Sequence, residues 1–112
     1  MNCRNNLNQD TGTLAERLTE DSVMTVVVTT SSTTLLPPNI DRRIVKIFLL
    51  STSAPPAEVW IRYGSDATLN NSAHPLLLRN LLIVDSAQAA NAISAICTAG
   101  SASVRVSSAE KA

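Results

Sequence analysis

A single histidine, His74, is the natural starting point for any chemistry in this chain, and it stands alone. A zinc site needs several His, Cys or carboxylate ligands converging at short spacings. Neither CxxC nor HxxxH occurs, and the two cysteines, Cys3 and Cys97, lie far apart in sequence. A serine nucleophile would need that same histidine as its base and a carboxylate to orient it. The GxSxG turn that presents such a serine is not in the sequence. Three glycines are too few to write a phosphate-cradling loop. Glu58 and Asp66 have the residue types of an acid–base pair, but no apolar cleft is implied around either. The reading is a protein without catalytic residues, metal ligands or cofactor.

The remaining chemical candidate is "EVWIRYGSDAT", residues 58–68, which holds the only tryptophan and the only tyrosine. Aromatic platforms for sugars or single-stranded bases use several exposed rings. This chain has one tryptophan, one tyrosine and one phenylalanine. Strand alternation sets Val59, Ile61 and Tyr63 on one side and Trp60 on the other. Trp60 therefore reads as a core or subunit-contact residue first and a sugar ligand second. The Arg42–Arg43 pair and the single Arg62 and Arg79 are too dispersed for a basic patch. They read as surface charges or as guards on edge strands.

These residues sit on a chain whose composition favours packing over chemistry. It has 112 residues, the size of one domain. Hydrophobic residues make up 45% and charged residues 16%, with nine positive charges against nine negative. Such a chain has no electrostatic hold on nucleic acid or on an anionic membrane. Near-zero net charge favours association. No apolar run is long enough to span a bilayer. The first ten residues, "MNCRNNLNQD", lack the apolar core of a secretion signal, so the chain is expected to stay in the cytoplasm where it is made. Reduced thiols at Cys3 and Cys97 are expected there.

Residues 1–21 read as a polar arm ahead of a folded domain over 22–112. Within the arm, "TGTLAERLTED" offers a short helix, with Thr13 as cap, Glu16 three residues on, and Leu14 and Leu18 on one face. Strands are expected at residues 22–30, 42–51 and 58–64, where β-branched residues dominate or apolar residues alternate. In the second of these, Val45, Ile47 and Leu49 form the core side. "SSTTLLPPN" reads as a break because of its prolines, and the second and third strands read as a hairpin across "TSAPPA". "LLLRNLLIV" reads as two short strands around a bend or one bulged strand. Residues 86–91 suggest a helical turn; Ala92, Ile93, Ile96 and Cys97 fit either a helix or a strand, and a strand over 92–98 is preferred because Gly100 and a clear strand follow directly. That strand is expected to pair through the "TAGS" turn with 101–108, where Val104 and Val106 point inward. Short strands at this spacing, with no βαβ unit, specify an all-β fold: a small antiparallel sandwich or barrel of jelly-roll type with an N-terminal arm or short helix.

Taken in order, "RRIVKIFLLSTSAPPAEVWIRYGSDAT", "HPLLLRNLLIV" and "QAANAISAICTAGSASVRVSS" resemble small β-sandwich structural proteins of tailed bacteriophages. A strand opening on arginine comes first, then an apolar-Trp-apolar strand ending on glycine. A Thr/Ala-rich loop, a Pro-Leu-Leu step and a closing Ala-Ile to Val-Arg-Val run follow. The resemblance covers residues 40–108, with Arg79–Asn80 where many such proteins have Pro-Gly. It implies a capsid cement or decoration protein on the capsid exterior of a virion. Its implied partners are the major capsid protein and further copies of itself, as a homotrimer or homodimer. Leu14, Leu18, Arg42, Arg43, Trp60, Arg62 and Tyr63 are then the candidate contact residues. The alternative is a carbohydrate-binding or tail- and fibre-associated adhesion module, in which Trp60 and Tyr63 contact sugar.

Overall fold

A computed structural model describes residues 18–111. Among them are eight strands: β1 (Ser22–Val28), β2 (Thr33–Leu36), β3 (Arg42–Thr52), β4 (Val59–Tyr63), β5 (His74–Leu76), β6 (Leu81–Val84), β7 (Ile93–Cys97) and β8 (Ala102–Glu110). A single 3-10 turn, Ala87–Ala90, joins β6 to β7, and the Ser86 hydroxyl caps it by accepting from the Gln88 N–H at 3.3 Å. The strands form two antiparallel sheets, with orders β1-β8-β3-β6 and β2-β7-β4-β5.

Pairing is nested. β1 lies beside β8, β2 beside β7, β3 beside β6 and β4 beside β5. A long hairpin rolled about its own length gives this order, which is the jelly roll. The all-β sandwich expected from the alternation pattern is the fold that forms.

The core lies between the sheets. On β3, Val45, Ile47 and Leu49 are fully buried while Lys46 and Phe48 point outward. Val106 and Val104 of β8 sit opposite Ile47 and Leu49 and are equally buried. From the facing sheet, Val59 and Ile61 of β4 stand opposite Cys97 and Ala95 of β7. Each fully buried aliphatic side chain contributes about 1.5–3 kcal/mol relative to exposure. This shared interior holds the two sheets together.

Several local expectations give way to this topology. β3 and β4 do not form a hairpin, because they lie in different sheets. Nor does the "TAGS" segment close one: it carries the chain from β7 in one sheet to β8 in the other. Sheet faces are roughly 10 Å apart, a gap that a short bent connection spans. β2 forms inside the segment read as a break; Pro37 and Pro38 end it but do not prevent it. It is an irregular strand, with a register shift between Thr34 and Leu36 opposite β7. Residues 18–21 are not helical. Leu18 bridges Lys111 in an antiparallel sense, and the Thr19 N–H donates to the Glu110 carbonyl at 2.9 Å. The rest of the expected helix, with Thr13, Leu14 and Glu16, lies outside the described residues.

Candidate interaction surfaces

Arg42, Arg43 and Arg62 turn back onto the fold. Arg42 opens β3, a central strand, and is only 4% exposed. Its Nε donates to the Ala89 carbonyl at 2.6 Å, and its Nη2 donates to Pro37 O at 3.0 Å and Asn91 O at 2.7 Å. It is neither a surface charge nor an edge guard. Its guanidinium ties the β2–β3 turn to the 3-10 turn through three carbonyls. Burial lowers its pKa, and the Glu110 carboxylate across the ladder acts in the opposite sense. Arg43 Nη1 donates to the Ile40 carbonyl at 2.7 Å. Arg62 braces the β4–β5 loop, donating from Nε to Ser65 O at 2.9 Å and from Nη1 to Asn71 O at 3.1 Å. Asn71 completes that loop: its Oδ1 accepts from the Thr68 N–H at 2.7 Å and its Nδ2 donates to Asp66 O at 3.1 Å. Arginine suits this work because its planar fork carries five donors.

Trp60 and Tyr63 do not share a surface. Trp60 lies opposite Ile96 of β7 and Pro75 of β5 on the outer side of its sheet, half-buried. Its Nε1–H donates to Glu58 Oε1 at 3.1 Å. Tyr63 packs against the core, and its ring meets His74 edge-on with centroids 5.5 Å apart. Burial raises the Tyr63 pKa. A sugar platform built from both rings is not formed within one copy. Among the described residues, no group of three or more His, Cys, Asp or Glu side chains is placed to hold a metal ion. Cys97 is a free, buried thiol whose Sγ lies 3.0 Å from the Ala99 carbonyl. Of the candidate contact residues, Leu18 is exposed, Arg43, Trp60, Arg62 and Tyr63 are half-buried, and Arg42 is enclosed. Leu14 lies outside the described residues.

The open surfaces are elsewhere. Among the described residues, β1 pairs on one side only, with β8, so its other side is a sheet edge of the described fold. Its seven residues, Ser-Val-Met-Thr-Val-Val-Val, include no charge and no proline. Val23 and Val27 point away from the core and are each 58% exposed, and Met24, on the inner side, is still 40% exposed. The remaining edges are guarded. β5 has three residues with Pro75 in the middle, β2 is bulged and followed by two prolines, and β6 has four residues. Phe48, Leu81 and Ile83 extend the outward apolar surface of the β1 sheet, opposite Arg105 and Lys46. The sequence signal for this surface was the absence of charge in residues 22–30, which strand propensity alone does not flag.

No protein-family model matches the chain, and no curated protein matches it. Its structure is similar to that of a protein of the Bacillus endospore appendages, described as a novel family of disulfide-linked pili. The TM-score is 0.53 over 96% of this chain and 98% of the other, at 10% sequence identity. At that identity the likeness shows the fold, and the fold is a small jelly-roll domain.

Proposed function

We propose that this chain is a non-enzymatic structural subunit that works by associating with further copies of itself, and that the assembly is a filament. The observation that carries the self-association is β1. A seven-residue uncharged edge strand is a template for main-chain pairing, which monomeric β proteins block with charge, proline, bulges or short edges. Among the described residues, those devices guard the other three edges and leave β1 bare. The likeness to a pilus protein supports the filament form. The linkage described for those pili is not carried over to Cys97, which is buried.

The capsid cement role implied by the phage resemblance is the narrower alternative. A cement protein binds an assembled shell and stabilises it by mass action, whereas a filament subunit needs no other protein. Light scattering and electron microscopy of the full purified chain separate the two. Concentration-dependent growth into fibres is expected. The Val23→Lys/Val27→Lys variant should stay folded, since both side chains point to solvent, and lose the side-by-side pairing of copies. A chain that is monomeric at every concentration would sink the filament reading, and attachment of that monomer to phage capsids would put the cement role in its place.

A further inference from the structure

The two poles of the sandwich differ in shape. At one pole, Pro37 to Asp41 form the turn between β2 and β3, and Ile40 at its tip is 83% exposed. An aliphatic side chain so bare on a loose loop would be unremarkable, but this turn is bonded from all sides. The Asn39 N–H donates to Ala90 O at 2.9 Å, and Asn39 Nδ2 donates to Glu110 Oε2 at 2.8 Å. Asn39 Oδ1 accepts from the Asp41 N–H at 3.0 Å. The Ile40 carbonyl accepts from Arg43, and the Asp41 carbonyl accepts from the Lys111 N–H at 2.7 Å. Ile40 is therefore an apolar knob on a fixed mount.

At the other pole is a cleft of about 310 Å³, lined by Thr52, Pro55, Pro56, Ala57, Leu77 and Leu78. Its walls are almost wholly apolar, and its volume is at the lower end for small-molecule sites, which carry a few converging polar groups. Two prolines on one wall limit how far it can collapse. Leu77 and Leu78 stand exposed at its rim. Arg79 follows them with φ +69°, and the turn is held by Asn80, whose N–H donates to Leu77 O at 2.9 Å and whose Oδ1 accepts from the Leu77 N–H at 3.1 Å.

Knob and cleft mark opposite ends of one strand. Arg42 beside the knob and Thr52 in the cleft are the first and last residues of β3, roughly 33 Å apart in an extended strand. The same copy cannot bring them together. We propose that the cleft receives Ile40 of a second copy stacked end to end, with Asp41 beside Arg79 of its neighbour. This inference rests on the assembly reading and adds a second direction to it. The β1 edge joins copies side by side, and the knob joins them along β3. Knob and cleft are different surfaces, so the contact is head-to-tail and leaves a free knob and a free cleft on every finished pair. Such a contact propagates unless a rotation closes it. A rigid aliphatic side chain entering an apolar pocket is also a favourable anchor, because little freedom is lost on binding.

The test is a charge-swap cycle on the full chain, read by sedimentation or light scattering against concentration, with circular dichroism to confirm the fold. Ile40→Glu and Leu78→Lys, each at an exposed position, should each weaken association by about tenfold or more. The double variant I40E/L78K sets a carboxylate on the knob of one copy against an ammonium at the cleft rim of the next, and should recover much of the loss. The inference is overturned if the wild-type chain assembles and either single variant assembles as well as it does. It is equally overturned if the singles fail and the double does not recover. A wild-type chain that never assembles removes the assembly reading itself, a result distinct from both.

Discussion

Trp60 and Tyr63 stand three residues apart on β4 and project from opposite faces of its sheet. Trp60 lies outward, opposite Pro75 and Ile96, while Tyr63 packs inward against the core. Their proximity in sequence therefore carries no shared role.

Because Trp60 is half-buried on the outer side, Trp60→Ala should leave the fold intact and cost about 1–2 kcal/mol, below the cost of deleting a core aromatic. Urea unfolding of the two proteins measures this. A loss of all folded signal would mean that the ring holds the sheet together.

Arg42 is the opposite case. Removing its guanidinium leaves the carbonyls of Pro37, Ala89 and Asn91 without their donor. Arg42→Met should cost about 2–4 kcal/mol, since each unsatisfied buried group carries its own penalty. Arg42→Lys should recover only part of that, because an ammonium cannot match the fork. Equal stability of the lysine variant and the wild type would show that charge, and not geometry, is what the site uses.

Gly100 sits in the β7–β8 crossover with φ +63°. A Cβ there would collide with Ser53 Oγ and press on Ala54 Cβ at 3.1 Å. Gly100→Ala should destabilise by about 1–3 kcal/mol through strain and displacement of the Ser53 side chain. That side chain also accepts from the Ser101 N–H at 2.9 Å, so the β3–β4 loop should loosen as well. Hydrogen exchange of the Ser101 amide, faster in the variant, is the check.

Burial of Tyr63 predicts a loss of stability at alkaline pH. Burial holds its pKa above the ordinary value of about 10. The unfolded chain therefore loses the tyrosine proton first as pH rises. Stability from this group is complete below about pH 10, falls as pH passes it, and is gone above the raised folded value. Tyr63→Phe should remove that decline. Denaturant midpoints compared at about pH 9 and about pH 11, on either side of the ordinary tyrosine value, should fall further in the wild type than in the variant. Equal falls would show that other groups set the alkaline limit.

The sequence made the strands legible where side chains alternate. Val45, Ile47 and Leu49 against Lys46 and Phe48 mark β3, and Val104 and Val106 around Arg105 mark β8. It did not make the pairing legible, because the hairpin rule is local and a jelly roll sends most consecutive strands to opposite sheets. β2 was hidden by its brevity and by Pro37–Pro38, which terminate a strand as readily as they forbid one. Among the candidate contact residues, Arg42 misleads because burial of an arginine depends on three carbonyls contributed by two distant turns. Ile40 was invisible for the converse reason: nothing in "PPNIDRR" says which side chain of a turn points out. The bare edge at β1 needed the sheet order to be recognised as an edge at all.

The nested pairing also orders the events of folding. The β4–β5 ladder closes over residues 64–73 alone, whereas the β1–β8 ladder sets Ser22 against Ser108, across nearly the whole described chain. Closure entropy grows with the length enclosed, and contacts of wide separation form slowly. The innermost pair is thus the easiest to nucleate and β1 the hardest to seat. In the proposed assembly, the strand that would offer its edge to other copies is then the last to be laid down, so polymerisation would be timed behind maturation: a half-rolled chain would have no seated β1 edge to donate.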